Sequence, residues 1–175
     1  NEAAFLYQLF VRQFGTNNLP DCSNMCHESS GAALTETLGI GKGSVTLEDF
    51  KHTDLVIVIG QNPGTNHPRM LSALGETKKN GGKNITVNTI PEVGLMNDKD
   101  TQNQLKWIGS GQDLTDLFLQ VKINGDVALL KIILKLMKAK ELENPGSVFN
   151  HDFIDEKTAG LEEMLIDLDV YSIEE

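Results

Sequence analysis

Residues 54–60 read "DLVIVIG", an unbroken run of Leu, Val and Ile between an aspartate and a glycine. A run this short and this continuous has no polar side to turn to water. It is the pattern of a parallel strand covered on both faces by helices. The segments around it fit that reading. Upstream, "TLEDF" (46–50) forms a helix-like turn leading in. Downstream, "QNPGTNHP" (61–68) is a loop, and residues 68–80 return as a helix. Asn80, Gly81 and Gly82 then turn the chain into a second buried strand, "KNITVN" (83–88), which leaves through "TIPEVG" (89–94). "DLFLQVKI" (116–123) is a third strand. Gly125 and Asp126 open an apolar helix, "VALLKIILKLMKA" (127–139), which "NPGS" breaks. Two short helices follow, around "HDFIDEKT" and "LEEMLIDL". Strands alternating with helices predict a three-layer α/β fold whose mainly parallel sheet includes 54–60, 83–88 and 116–121.

Ahead of the first strand, residues 1–14 read as a helix. Ala3, Tyr7, Phe10, Val11 and Phe14 make its apolar stripe, and Gly15 stops it. "TNNLPD" is a loop. Residues 28–38 form a second helix, closed by "GIGKGS" (39–44). No repeat or low-complexity tract interrupts the pattern. The chain reads as one domain over 1–175, with 142–175 a helical extension. Its abrupt ends suggest a fragment of a larger subunit.

The length of 175 residues, 39% of them hydrophobic, suffices for a proper core. The formal charge of -10 argues against a nucleic-acid partner, because phosphate binding needs clustered Lys and Arg. Much of the acid sits in "DEKTAGLEEMLIDLDVYSIEE" (155–175), so the earlier part can still receive an anion. "AAFLYQLFV" (3–11) is too short to span a bilayer and lacks a basic flank. A cytoplasmic protein with no membrane span is expected. Asn84, Ile85 and Thr86 match a glycosylation sequon, but inside a predicted buried strand it is discounted.

In an open parallel sheet, ligands gather beyond the C-terminal ends of the strands. Three loops leave those ends: "GQNPG" (60–64), "NTIPEVG" (88–94) and "NGD" (124–126). Glycine lets backbone approach a ligand, and following helix amides favour phosphate. Asn and Asp can read a base or a ribose. Any one such loop is ordinary turn chemistry. Three at one sheet edge favour a nucleotide-like ligand. "GIGKGS" is loop chemistry, since no strand precedes it and neither the G-x-G-x-x-G nor the G-x-x-x-x-G-K-[ST] spacing is present.

Both cysteines lie in "DCSNMCHESSG" (21–31), with His27 next to Cys26. A redox pair, a metal site, a catalytic thiolate and an ordinary helix start all fit those letters. Two cysteines are too few for a disulfide scaffold, and the spacing is one longer than C-x-x-C. Cys22, Cys26 and His27 fall short of the four ligands of a structural zinc, and His52, His67 and His151 are scattered. One soft ligand can still serve a metal that brings its other ligands with a cofactor. On residue chemistry alone, Cys26 as a small apolar side chain at a helix start is the simpler reading.

Taken in order, "SNMCHESSG", "DLVIVIGQNPGTNHPRML", "KKNGGKNITVN", "GDVALLKIIL" and "DFIDEKTAGLEEML" resemble molybdopterin oxidoreductases of the dimethyl-sulfoxide-reductase superfamily. The likeness is to the formate-dehydrogenase-like alpha subunits and runs along essentially the whole chain. It rests on the ordered set, with "MCHESSG" and "IGQNPGTNHPR" the most telling. The resemblance implies the internal Rossmann-like domain of a much longer subunit that carries molybdenum on two molybdopterin guanine dinucleotides. It implies Cys26 as the metal ligand and His27 as the proton-handling catalytic group. Gly60, Asn62 and Pro63 match the loop that approaches the dinucleotide. Asn88 stands where the family often has an acidic residue for the guanosine. Gly125 and Asp126 match the region whose Asp accepts from guanine. Cys22 has no role in the resemblance.

The implied partners are the remaining domains of the parent subunit, an iron–sulfur cluster in its amino-terminal region, and a small-molecule substrate, with formate the family's best-known one. The isolated chain is expected to be inactive. Two alternatives remain: the central Rossmann-like domain of a thiamine-diphosphate enzyme, which leaves "MCHE" without a role, and a non-catalytic interaction domain.

Overall fold

The computed structural model describes residues 2–19, 26–96 and 113–169. The chain divides into two compact units, Asn1–Thr46 and Leu47–Glu175.

The first unit contains α1 (Glu2–Phe14) and α2 (Glu28–Leu38). Both end on glycine in the left-handed region, Gly15 at φ +92° and Gly39 at φ +77°, where a side chain would be strained. The Gly39 N–H donates to the Thr35 carbonyl and closes α2. The apolar stripe of α1 is buried only at Val11. Tyr7, Phe10 and Phe14 are exposed. An amphipathic helix buries its stripe only where another element packs on it, and the Phe10 and Phe14 rings find each other instead, with centroids 6.2 Å apart.

The second unit is a parallel α/β assembly. Its elements are a 3-10 turn (Asp49–Lys51), β1 (Leu55–Ile59), α3 (Pro63–Asn66), α4 (Met70–Lys79), β2 (Lys83–Asn88), α5 (Val93–Met96), β3 (Leu117–Gln120), α6 (Asp126–Glu143), α7 (His151–Lys157) and α8 (Leu161–Leu168). The strands lie in the order β1-β2-β3 and both pairings are parallel, with Ile57 opposite Ile85 and Ile85 opposite Leu117. This is the α/β, Rossmann-like architecture that the alternation of apolar runs predicts.

One face of the sheet packs on α4. Val58, Leu71, Leu74 and Leu114 form the core there, with Val56 and Met70 against them. Complete burial of Leu71 and Leu74 contributes about 1.5–3 kcal/mol each. Polar side chains lock the same layer. The Asn84 amide donates to the carbonyls of Leu74 (3.1 Å) and Leu114 (3.0 Å). The hydroxyls of Thr86 and Thr115 are 2.9 Å apart. Asn84 and Thr86 are each 1% exposed, so the sequon lies within the sheet. At the N-terminal edge, the Asp116 carboxylate accepts from the Asn84 N–H (2.8 Å) and pairs with Lys78 and Lys83. Chiefly that N–H, then the lysines, hold its pKa below the usual carboxylate value against partial desolvation.

Three details differ from the expectations. β1 is not covered on both faces: Leu55, Ile57 and Ile59 are 45%, 44% and 41% exposed, whereas Val87 on the same face of central β2 is 2% exposed. The second face is thus closed at Val87, toward the C-terminal end of β2, and open along β1. β3 stops at Gln120, short of residue 121. The Val121 N–H still donates to the Asn88 carbonyl at 3.1 Å, but the Gly125 N–H then closes a turn on Lys122, with Asn124 at φ +70°. Finally, the loop 61–68 contains a single helical turn, α3, and the loop 89–94 runs into another, α5. Pro63 at the first position of α3 and the Asn62 Oδ1 accepting from the Thr65 N–H (3.3 Å) favour that turn.

Candidate functional site

The sheet brings the exits of its three strands to one edge. β1 is followed by Gly60, whose φ of +64° turns the chain and whose N–H donates to the Val87 carbonyl at 2.9 Å. A Cβ at Gly60 would meet nothing within 4 Å, so open space adjoins the turn. Asn62 follows as the cap of α3, and Pro63 is buried behind it. The next loop meets this one at backbone distance. A Cβ on Gly64 would stand 2.7 Å from the Gly94 carbonyl oxygen, and a Cβ on Gly94 would collide with the Asn62 Oδ1. Only glycine at both positions lets the β1 and β2 exits touch in this way.

Asn88, the last residue of β2, is half-buried. Its Oδ1 accepts from the Thr89 N–H (2.7 Å) and its Nδ2 donates to the Glu92 Oε2 (3.0 Å). The end of β3 is tied to the same loop, because the Gln120 Nε2 donates to the Thr89 carbonyl at 2.9 Å. An open hollow of about 640 Å³ lies there, lined by Thr89, Gln120, Val121, Lys122 and Ile123. Gly125 and Asp126 come one turn later. Gly125 caps α6, where a Cβ would press on the Lys122 carbonyl at 2.9 Å, and Asp126 is the first residue of the helix.

Gly60, Asn62, Pro63, Asn88, Gly125 and Asp126 therefore all lie in the second unit, at or just beyond the C-terminal ends of β1, β2 and β3. Cys26 and His27 lie in the first unit, at the start of α2. Cys26 is exposed and carries a free thiol. His27 precedes the helix; its carbonyl accepts from the Gly31 N–H at 2.8 Å, and its side chain makes no capping bond. Cys22 lies outside the described residues. Among the described residues, no three His, Cys, Asp or Glu side chains converge on a metal position.

Glu92, Gly94 and Gln120 were not singled out by sequence reasoning. "PEVG" reads as a loop exit, and a glutamate four residues beyond a strand carries no signal of its own. The contacts that matter join residues about thirty apart, as Gly64 to Gly94 and Thr89 to Gln120.

No family model matches the chain. It is 57% identical over 162 residues, 93% of its length, to an uncharacterized oxidoreductase, Rv2900c, of Mycobacterium tuberculosis. It is 45% identical over 173 residues, 96% of its length, to the protein YdeP of Escherichia coli. Over 86 residues, 49% of its length, it is 37% identical to formate dehydrogenase H of Escherichia coli, of which those residues make up 12%. The chain spans 21% of Rv2900c and 23% of YdeP, about a fifth of the curated relatives it matches along its length. No helix among the described residues is long and apolar enough to cross a membrane.

Proposed function

We propose that this chain forms one side of the binding site for molybdenum held by molybdopterin guanine dinucleotides, within a formate-dehydrogenase-like oxidoreductase. The observation that carries the reading is the contact of the Asn62–Gly64 and Glu92–Gly94 loops at the C-terminal edge of a parallel sheet, the place where such sheets receive nucleotides. The partial match to formate dehydrogenase H supports it, as do the relatives named oxidoreductase.

The residues fit such a group in two respects. Open space lies beside Gly60, and the loops around it present backbone, amide and carboxylate groups suited to phosphate, ribose and base. The exposed thiol of Cys26 is a single soft ligand, which suits an ion whose other ligands arrive with the cofactor.

The bound group supplies the two-electron chemistry. The chain's own residues bind, orient and handle the proton. Cys26 offers its Sγ to the metal, and His27 takes or gives the accompanying proton at its imidazole. The Gly60–Pro63 turn and Asn88 hold the dinucleotide, and Asp126 accepts from the base. The remaining domains of the longer polypeptide complete the site, carry any iron–sulfur cluster and shape the pocket for a small substrate of the formate class. The free thiol of Cys26 suits the reducing cytoplasm.

Metal and nucleotide analysis of the full-length protein tests the proposal. Stoichiometric molybdenum or tungsten, with guanine nucleotide released on denaturation, is the expected result. Bound thiamine diphosphate, or neither metal nor nucleotide, overturns it.

A further inference from the structure

We infer that Asn124 is a site of covalent self-modification, where the exposed turn between β3 and α6 deamidates to aspartate and isoaspartate through attack by the Gly125 amide. The inference concerns the chain itself and does not rest on the nucleotide reading above. Asparagine followed by glycine is the pair most prone to this reaction, because glycine puts no side chain in the way of ring closure. The sequence contains two such pairs, Asn80-Gly81 and Asn124-Gly125. The fold treats them differently.

Asn80 is tied down. Its Nδ2 donates to the Lys51 carbonyl at 2.9 Å. The turn after it is clamped, with the Gly81 N–H on the Lys78 carbonyl (3.1 Å) and the Gly82 N–H on the Thr77 carbonyl (2.9 Å). Gly82 is packed as well, since a Cβ there would stand 2.7 Å from the Thr53 carbonyl oxygen. Ring closure at Asn80 has to break these contacts at the entry to β2. The Asn124 side chain, by contrast, has no hydrogen-bond partner among the described residues. It is exposed, as are Lys122 and Ile123 before it, and Ile123 is 89% exposed. Its backbone sits at φ +70°, the left-handed region that non-glycine residues rarely adopt. The turn is closed by the Gly125 N–H on the Lys122 carbonyl at 2.8 Å. That bond must open before the nitrogen can react, and a turn of exposed residues opens at little cost.

The step balances without an oxidant or reductant. The Gly125 nitrogen attacks the Asn124 Cγ, the new N–Cγ bond forms, and the Cγ–Nδ2 bond breaks. The side-chain nitrogen leaves as ammonia, carrying the proton given up by the Gly125 amide. Water then opens the five-membered succinimide at one carbonyl or the other, giving aspartate or isoaspartate. Either product adds a carboxylate two residues before Asp126. The isoaspartate also routes the main chain through Cβ, which lengthens the link between β3 and α6 by one backbone atom.

The test incubates the full-length protein in warm, mildly alkaline buffer and follows both sites by peptide mass spectrometry, with fragmentation that separates aspartate from isoaspartate. Asn124 is expected to convert roughly 10-fold faster than Asn80, the factor that corresponds to about 1.4 kcal/mol between their opening free energies. Both products should appear. The preference for Asn124 should vanish in the urea-unfolded protein, where the two turns no longer differ. Asn124→Gln should give no product at this site, because glutamine would have to close a less favourable six-membered ring. Should that variant fail to fold, the wild-type comparison of the two sites still decides. Equal or faster conversion at Asn80 in the native protein, or an Asn124 that keeps its amide while the unfolded chain loses it, overturns the inference. So does a preference that survives unfolding, since it would then belong to the neighbouring sequence and not to the turn.

Discussion

Gly64 and Gly94 lie against each other so closely that a Cβ on Gly64 would come within 2.7 Å of the Gly94 carbonyl oxygen. Thirty residues separate them in sequence, yet this contact defines the C-terminal edge of the sheet. A methyl at either position must push the β1 and β2 exits apart. Gly94→Ala also presses on Asn62, and overpacking of this kind costs roughly 1–3 kcal/mol. If the proposed function holds, the expected outcome in the full-length protein is a correctly folded variant with much reduced guanine nucleotide content, measured after denaturation. Gly146→Ala is the comparison, since a Cβ there meets nothing within 4 Å and only its left-handed φ is strained. Equal nucleotide loss in both variants would mean that the Gly64–Gly94 contact has no particular bearing on the ligand.

Cys26 and His27 divide their tasks in the proposed mechanism, and their substitutions should separate. In the full-length protein, Cys26→Ala is expected to abolish two-electron turnover, while Cys22→Ala leaves most of it. His27→Ala should retain the metal but slow turnover by about 10²–10⁴-fold, the range for loss of a positioned proton-transfer group. Steady-state kinetics with metal content measured in parallel reads all three. Equal effects of the two cysteine substitutions would favour a structural pair instead.

The isolated 175-residue chain should fold but hold no molybdenum and turn over no formate. A cofactor of this size is retained when most of its surface is buried, and one thiolate with one nucleotide edge encloses too little of it. Elemental analysis and activity assays on the purified chain are the check. Stoichiometric metal or measurable turnover would contradict the expectation.

Away from that edge, Glu141 organises the turn between α6 and α7. Its carboxylate accepts from the backbone N–H groups of Gly146, Val148 and Phe149 and lies 2.7 Å from the His151 Nε2. The Gly146 and Phe149 N–H groups, joined by His151 and Val148, bring its pKa down from 4.5 to about 2 against partial burial. A carboxyl whose folded pKa is depressed stabilises the fold fully above its unfolded value. That contribution is lost as the pH falls from about 4.5 toward 2. Glu141→Gln should therefore melt several degrees below wild type at neutral pH, and the two melting curves should converge on acidification. A gap that persists unchanged at low pH would assign the effect to packing.

Local pattern alone determined much of this protein. The apolar run at 54–60 has no polar face, and it forms a strand of a parallel sheet with 83–88. Gly15 and Gly39 end their helices because left-handed backbone suits glycine, and residues 28–38 form a helix with the expected bounds. The polar loops at 60–64, 88–94 and 124–126 follow from strand direction, since a parallel sheet brings every exit to one side. These features depend on neighbours a few residues apart, and periodicity records such neighbours. Tertiary structure decided which loops touch. It set Gly94 against Gly64, let Asn88 hold Glu92, braced Thr89 with Gln120, and left Ile57 exposed where a covered strand was expected. Each of these depends on the order of strands in the sheet and on what packs over it. Such contacts are made across about thirty residues of intervening chain, and no local spacing encodes them.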